Sequence, residues 1–334
     1  MHSFLVRATV AALLFQASAD PVRAGHYTVV DVDGEGTTRL WGINAKGQVI
    51  GVWDESAFLR ETDGTIVPVT VPDNVEPWPE GINSRGDIAG VASHGCGTLG
   101  FSCSMGFVRL ADGTVTTFNA SGDPLDNTNA VAINEADETV GYFTDSSYAG
   151  HGFIRQPDGT VTIVDVPGSS AVGLAALNNR GYAAGSFADG VGQHGLLVGP
   201  DGSQTIFDIP GAQDIGVAGL NDDGWITGYY DHDGYERTGF LRSPDGTITF
   251  IDVGGVSDTR VVSINRSGNV AGCYVPAKRV RGFVQTLSGE TRILKIKGVH
   301  DVEPAGINDR GFVAGTYAVK DGEISKTYGF IWRP

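Results

Sequence analysis

The densest cluster of polar residues that could do chemistry reads Asp-His-Asp-Gly-Tyr-Glu-Arg and begins at Asp231. Carboxylate oxygens around a glycine turn are ligands that Ca²⁺ accepts, so Asp231, Asp233 and Glu236 are candidate metal ligands. A solvated hairpin is the favoured alternative, because the later ligands of a full calcium loop are missing. His232 and Tyr235 could contact a ligand from the same loop. Calcium is the one cofactor that the sequence suggests.

Two histidines, His151 and His194, occupy equivalent places in adjacent copies of a repeat. An imidazole in a site could act as a general base or a zinc ligand. Because the position belongs to the repeated pattern, a structural role is the favoured interpretation. Both histidines are kept as candidate ligand-binding residues.

Arg279 and Arg281 belong to the one basic cluster of an otherwise acidic chain. Their planar guanidinium groups could bind a carboxylate or sulfate, although isolated surface charges are usually only solvated. Trp78 could stack on a sugar ring, although packing is the commoner role of an aromatic side chain. The sequence contains no Gly-x-Ser-x-Gly elbow, no phosphate-binding glycine loop and no paired Cys-x-x-Cys zinc motif, which disfavours the common enzyme classes.

The elements that would position these residues come from a sequence repeated seven times. An Ile-Asn or Leu-Asn pair recurs with its asparagines 39 to 51 residues apart, and these asparagines define repeats 1 to 7: Asn44, Asn83, Asn134, Asn178, Asn221, Asn265 and Asn308. Glycine follows three residues later in all repeats but one, where Asp137 stands, and seven residues later in every repeat. Asn-x-x-Gly predicts a turn, and glycine inside the following strand predicts a bulge or the close approach of another blade.

Each repeat predicts four antiparallel strands. The third strand is usually opened by Gly-Phe, and it ends in an Asp-Gly or Ser-Gly hairpin turn. A period of about 43 residues with four strands is typical of a propeller blade. The last repeat ends after its third strand, and the segment Tyr27 to Val32 matches the missing fourth strand. We therefore expect an all-β, seven-bladed β-propeller over residues 26–334, closed by the N-terminal strand.

The repeat resembles the HAF-type extracellular repeat, through the Ile-Asn-x-x-Gly-x-x-x-Gly core and the tripeptides His151-Gly152-Phe153 and His194-Gly195-Leu196. The resemblance covers nearly all of the chain after its first residues. It implies an exported bacterial repeat protein, and it supplies no catalytic residues.

Export is also predicted by the first 19 residues, which have the three-part plan of a secretory signal peptide, with an alternative cut after Ala24. A periplasmic or extracellular compartment follows, and a disulfide between Cys96 and Cys103 would join the ends of an insertion found only in repeat 2. Cys273 is expected to be a buried free thiol. The formal net charge of −16 argues against nucleic-acid and membrane-surface partners.

The function predicted from these features is binding or interaction, by a monomer. An unknown extracellular glycan, small molecule or protein would be held on the face that carries the variable loops, because binding residues are usually placed on loops of a rigid scaffold. The alternative is a secreted hydrolase or lyase with a site at the mouth of the channel, which a metal ion could assist.

Overall fold

The computed structural model describes residues 26–334 except 35, 73–74, 97–100, 124–125, 232–235, 256–257, 300 and 322–323. The described residues form 28 strands and one short 3₁₀ helix, Pro276–Lys278. No described helix is long and apolar enough to cross a membrane. The predicted signal peptide lies outside the described residues.

Five sheets have four strands each. Repeat 1 forms β2 (Thr38–Ile43), β3 (Val49–Trp53), β4 (Ser56–Arg60) and β5 (Ile66–Pro68). Repeat 2 forms β6 (Glu76–Ile82), β7 (Ile88–Cys96), β8 (Phe101–Arg109) and β9 (Val115–Phe118). Repeat 5 forms β18 (Asp214–Leu220), β19 (Ile226–Asp231), β20 (Arg237–Arg242) and β21 (Ile248–Ile251). Repeat 6 forms β22 (Thr259–Ile264), β23 (Val270–Tyr274), β24 (Arg281–Gln285) and β25 (Thr291–Ile293).

The fifth of these sheets combines the two ends of the chain. It consists of β26 (Asp301–Ile307), β27 (Val313–Asp321), β28 (Ile324–Arg333) and β1 (His26–Val30). Strand β1 pairs with β28 over five residues, with Tyr27 opposite Trp332 and Val29 opposite Phe330.

Repeats 3 and 4 share an eight-stranded sheet, whose halves are joined by a single parallel pair, Gly150 and Ala171. Repeat 3 contributes β10 (Asn127–Ile133), β11 (Thr139–Thr144), β12 (Gly150–Arg155) and β13 (Val161–Val164). Repeat 4 contributes β14 (Ala171–Leu177), β15 (Ala183–Ala188), β16 (Gln193–Val198) and β17 (Gln204–Phe207).

The predicted asparagine turns join the first and second strands of each repeat. Each asparagine is buried, and its Oδ1 accepts a hydrogen bond from the backbone N–H four residues later, as Asn178 does from Tyr182 at 3.0 Å. The residue three positions later needs a positive φ, which glycine adopts without steric cost. Asp137, the one exception, has the same conformation, with φ of 62°.

The second repeated glycine marks a bulge within its own sheet. A Cβ on Gly51 would lie 2.2 Å from the carbonyl oxygen of Arg39, and the register of β2 against β3 shifts between Leu40 and Gly42. The same shift recurs in every repeat, as between Leu174 and Ala176 opposite Gly185. Of the two sequence interpretations, the bulge is therefore the one that holds at this position.

The hydrophobic core lies between the sheets. The first strand of each repeat packs on the sheet before it, and β2 packs on β26, β27 and β28. One cluster, for example, joins Val30 of the N-terminal segment, Leu40 of β2 and Ile331 of β28. These sheets, packed face to face around their first strands, make the all-β propeller arrangement that the repeats predict, and that class is confirmed.

Candidate functional site

The two ends of the sheets differ in their connections. The asparagine turns and the Asp-Gly turns lie at one end, which we call the asparagine face. The connections between second and third strands, and those between repeats, lie at the other end, which we call the variable face. In repeat 1 the connection on the variable face is the two-residue turn Asp54-Glu55.

Side chains of the first strands alternate between more buried and more exposed positions. In β2 the residues Thr38 and Leu40 are buried, whereas Arg39 and Trp41 are exposed. In β6 the residues Pro77 and Pro79 are buried, and Trp78 and Glu80 are only partly buried. Because successive side chains of a strand point to opposite faces, every second residue of these strands is available on the less buried face.

The residue five positions before each repeat asparagine lies at the same place in every first strand, near the variable face, and these seven positions define the channel row. In repeat order the row is Arg39, Trp78, Asn129, Gly173, Gly216, Arg260 and Glu303. Repeats 6, 7, 1 and 2, which follow one another in space, contribute charged or aromatic side chains to it. Repeats 4 and 5 contribute glycines, and tyrosine side chains lie beside them, Tyr142 at Gly173 and Tyr229 at Gly216.

A cleft of about 640 Å³ opens beside the charged part of this row. Its volume lies within the usual range of ligand sites, roughly 300–1,000 Å³. Its lining residues, which define the repeat-1 cleft, are Thr37, Arg39, Trp53, Asp54, Glu55, Ser56, Glu76 and Trp78. Strand β2, the Asp54-Glu55 turn and the start of β6 therefore build one site on the variable face.

The polar groups of the repeat-1 cleft fall into two kinds. Asp54 supports the backbone, because its Oδ1 accepts a hydrogen bond from the N–H of Thr37 at 2.9 Å. Arg39, Glu55 and Glu76 are exposed, and among the described residues none of them forms an ion pair. Donors and acceptors that do not satisfy one another are thus available to a ligand.

Glu80 lies two residues after Trp78 on β6, at the bulge where the register against β7 shifts between Pro79 and Gly81. Burial raises the pKa of its carboxyl group to about 7. Within the described chain it has no hydrogen-bond partner or counter-charge. Glu80 is therefore a carboxyl group that can give or take a proton near neutral pH.

The predicted calcium cluster is only partly described. Asp231 ends β19 and is buried, and Glu236 is exposed just before β20. Asp233, His232 and Tyr235 lie outside the described residues, so the calcium site stays a prediction. In the part of the chain that the structure describes, no three His, Cys, Asp or Glu side chains are arranged to hold a metal ion.

The two predicted histidines form matching Asp–His–Asp triads on the variable face of repeats 3 and 4. Nδ1 of His151 lies 2.7 Å from Asp165 Oδ1, and its Nε2 lies 3.4 Å from Asp145 Oδ2. The ring stacks on Phe143, with centroids 4.9 Å apart. Asp145 in turn accepts hydrogen bonds from the backbone N–H groups of residues 147 and 149.

The second triad repeats this geometry. Nδ1 of His194 lies 2.6 Å from Asp208 Oδ1, and the ring stacks on Phe187 at 4.9 Å. Its Nε2 lies 3.3 Å from Asp189 Oδ1, without the angle of a hydrogen bond. Since carboxylates face both nitrogens of each ring, the triads tie the connection between the second and third strands to the end of the fourth strand. This arrangement supports the structural interpretation of both histidines.

The carboxylates raise the pKa of both histidines. For His151 the largest influence is burial, which lowers the pKa, but the hydrogen bonds and charges of Asp165 and Asp145 together outweigh it. For His194 the hydrogen bond to Asp208 is the largest influence, and burial only partly offsets it. The hydrogen bonds from Ser147 and Ala149, with a smaller one from His151, lower the pKa of Asp145 to about 2.

The remaining predicted residues lie apart from the repeat-1 cleft. Arg279 and Arg281 are exposed in repeat 6, after the short 3₁₀ helix and at the start of β24. Cys273 is a buried free thiol, as predicted, and burial raises its pKa to about 11. Cys103 lies on β8 opposite His94 of β7; the side chain of Cys96 lies outside the described residues, and the disulfide stays a prediction.

Sequence reasoning identified Trp78 but missed Arg39, Glu55, Glu76 and Glu80. A signal for the row was present, because counting five residues back from each repeat asparagine gives the channel residues directly. The partners of the histidines had a signal too, since Asp165 and Asp208 each follow their histidine by 14 residues.

No protein-family model matches the chain, and no curated protein matches its sequence. Solved propeller structures are similar in fold. A streptogramin B lyase structure has a TM-score of 0.62 at 15% identity, covering 94% of this chain and 99% of that chain. A catalytically inactive virginiamycin B lyase from Staphylococcus aureus, with quinupristin, has a TM-score of 0.59 at 14% identity, covering 93% and 99%.

A prolyl endopeptidase structure also has a TM-score of 0.59 at 14% identity, covering 89% of this chain but 50% of that chain. At these identities the similarity concerns the fold alone.

Proposed function

We propose that the protein is a closed seven-bladed propeller that binds an extracellular ligand at the repeat-1 cleft. Seven blades follow if the eight-stranded sheet is counted as two blades that touch at Gly150 and Ala171. Closure is supported by the pairing of β1 with β28 and by a hydrogen bond from Asn308 Nδ2 to the carbonyl oxygen of Asn44, 3.0 Å long.

The binding function rests on one observation. Arg39 and Trp78, from the channel row, meet Glu55 of the repeat-1 turn in a single open cleft, and the two charged groups are not paired with each other. Charged side chains placed side by side without ion pairing, next to an aromatic ring, are what a small polar ligand can use. Strands hold Arg39 and Trp78, and a two-residue turn holds Glu55, so the site is preorganised.

Export, the HAF-type resemblance and the monomeric state belong to the same proposal. They are supported by the predicted signal peptide, the repeat core and the acidic charge. A periplasmic or extracellular location would bring the cleft into contact with glycans, small molecules and other exported proteins.

A thermal-shift screen tests the binding function. The protein is heated with calcium, zinc or EDTA and with a panel of plant and bacterial glycans, since a ligand of the folded state raises the melting temperature. A double variant, Arg39→Ala with Trp78→Ala, should lose the shift. Tyr148→Ala removes an exposed aromatic side chain from the same face in repeat 3 and should keep it. A ligand whose shift survives in the double variant would contradict the placement of the site.

A hydrolase or lyase is the second candidate, and Glu80 favours it. The residue follows Trp78, which lines the cleft, by two positions, and its raised pKa suits proton transfer near neutral pH. The similar lyase structures share the fold with this chain, and they give no further support to the enzyme candidate.

Mass spectrometry of the ligands after incubation tests the enzyme candidate. Glycans that bind, and quinupristin, are incubated with the protein and with Glu80→Gln, which keeps the shape of the side chain but cannot exchange the proton. Turnover that falls about a hundredfold in Glu80→Gln, while binding is kept, would support catalysis. Intact ligands with the unaltered protein would leave binding as the function.

A further inference from the structure

The repeat-1 cleft lies between two long hairpins. Strand β7 extends six residues beyond Gly90, and β27 extends six residues beyond Gly315, whereas β3 ends two residues beyond Gly51. At roughly 3.3 Å per residue, β7 and β27 reach about 13 Å further on the variable-face side than β3 does. The repeat-1 cleft is thus the floor of a groove between these two longer strands.

The floor of the groove offers both kinds of hydrogen-bonding group. The guanidinium of Arg39 can only donate, and the carboxylates of Glu55 and Glu76 can only accept. All three are exposed and unpaired within the described residues. A hydroxyl group donates and accepts at once, so a polyhydroxylated ligand can satisfy all of them.

Two tryptophans supply flat apolar surface beside these groups. Trp78 packs one side against the core between repeats 1 and 2, and its partly exposed remainder lines the cleft. Trp53 is held by Gly36, where a Cβ would lie 2.2 Å from its Nε1. Rings fixed in this way bind a ligand at little cost in conformational entropy. A sugar ring could stack its C–H face on such a ring while its hydroxyl groups contact the charged residues.

Charge limits the ligand further. The chain carries a net charge of −16, and two unpaired carboxylates line the floor, so a polyanion is repelled. Arg39 lines the same cleft and disfavours a polycation. We propose that the repeat-1 cleft binds a neutral oligosaccharide or polysaccharide chain. This inference rests on the proposed function and adds the class of ligand to it.

Isothermal titration with defined hexasaccharides tests this class. The neutral probes are cellohexaose, laminarihexaose, xylohexaose and mannohexaose; the charged probes are hexagalacturonate and hexameric chitosan. At least one neutral probe should bind, and hexagalacturonate should not. Trp78→Ala should weaken binding about tenfold or more, as expected of a central aromatic contact. Trp78→Phe, which keeps a flat ring, should restore part of the affinity, and Glu76→Gln should weaken binding severalfold.

Tyr148→Ala is the matched control, because it removes an exposed aromatic side chain from the same face outside the groove. Its affinity should equal that of the unaltered protein. The inference is overturned if no neutral probe binds, or if Trp78→Phe and Trp78→Ala fold and bind as tightly as the unaltered protein. If only a charged probe binds and Trp78→Ala abolishes it, the ligand class is wrong while the proposed function stands. If Trp78→Ala and Arg39→Ala leave every observed affinity unchanged, the proposed function fails as well.

Discussion

The two faces of the propeller differ in how closely the repeats resemble one another. On the asparagine face every repeat has the same residue in the same place: each repeat asparagine donates from Nδ2 to the carbonyl oxygen of the next repeat's asparagine, over 2.9–3.2 Å. On the variable face, the row five residues earlier contains arginine, tryptophan, asparagine, glycine and glutamate.

The difference shows how one repeat can supply both stability and a site. A buried asparagine whose amide and carbonyl are both used cannot vary, because a lost partner leaves a buried polar group unsatisfied. An exposed side chain of the row, such as that of Arg39, belongs to no such network, so it can change at little cost to the blade. Stability and binding should therefore be separable by mutation, and the following predictions test that separation from the largest effect to the smallest.

The largest effect is expected from deleting residues 26–32. The deletion removes β1 from its sheet and exposes the space filled by Val30 and Val32, which are 3% exposed. Losing the two buried valines alone should cost about 3–6 kcal/mol, which lowers the melting temperature of a domain of this size by about 5–10 °C. Differential scanning calorimetry compares the melting temperature of the deletion variant with that of a chain that begins at His26. Equal melting temperatures would contradict ring closure by β1.

Asn178→Asp should have the next largest effect. The carboxylate keeps the acceptor for the N–H groups of Arg180 and Tyr182 but loses the donor to the carbonyl oxygen of Asn221. The free energy of unfolding should fall by about 2–3 kcal/mol, because a buried acceptor is left opposite an oxygen.

Asn129→Asp is the matched control for that change on the variable face, where the side chain is partly exposed in the channel row. Urea denaturation should show a loss of less than about 0.5 kcal/mol. Similar losses of stability in the two variants would mean that the repeat asparagines contribute no more to stability than an asparagine of the variable face.

A disulfide between Cys96 and Cys103 would stabilise the long hairpin of repeat 2. The double variant Cys96→Ser with Cys103→Ser should lower stability by about 2 kcal/mol, since the bridge limits the unfolded chain. Cys273→Ser is the control for the free thiol. Alkylation of the unfolded, unreduced protein followed by mass spectrometry should label one cysteine, and labelling of all three would disprove the bridge.

The smallest effect is the pH dependence of the two Asp–His–Asp triads. Their histidines have a raised pKa in the folded protein, so the stabilisation is fully present below the ordinary histidine pKa of about 6.5 and is lost as pH rises through the higher folded value. The partners are partly exposed, and the gain should be less than about 1 kcal/mol.

Melting temperatures from pH 5.5 to 8 measure this dependence. The double variant His151→Gln with His194→Gln should show a flatter profile than the unaltered protein across that range. If the melting temperature depends on pH with the same slope in both proteins, the triads do not cause the pH dependence.

The comparison of the two faces also explains what the sequence could predict. The turns, the glycines with positive φ and the strand order follow from local backbone needs, so Asn44 and its six equivalents reveal them directly. The site could not be found in that way, because Arg39, Glu55 and Glu76 come from a strand, a turn and the next repeat. Only the packing of repeat 2 on repeat 1 brings them together. The raised pKa of Glu80 depends on burial in the channel, which no local pattern encodes.

The separation of the two faces is tested most directly by measuring stability and affinity on the same two variants. Calorimetric melting and titration with the best-binding neutral hexasaccharide are performed on Asn178→Asp and Trp78→Ala. We predict that Asn178→Asp melts several degrees lower yet binds with unchanged affinity, while Trp78→Ala, which also loses packing against the core between repeats 1 and 2, binds about tenfold more weakly. If Asn178→Asp loses affinity as Trp78→Ala does, or Trp78→Ala binds normally, binding does not belong to the variable face.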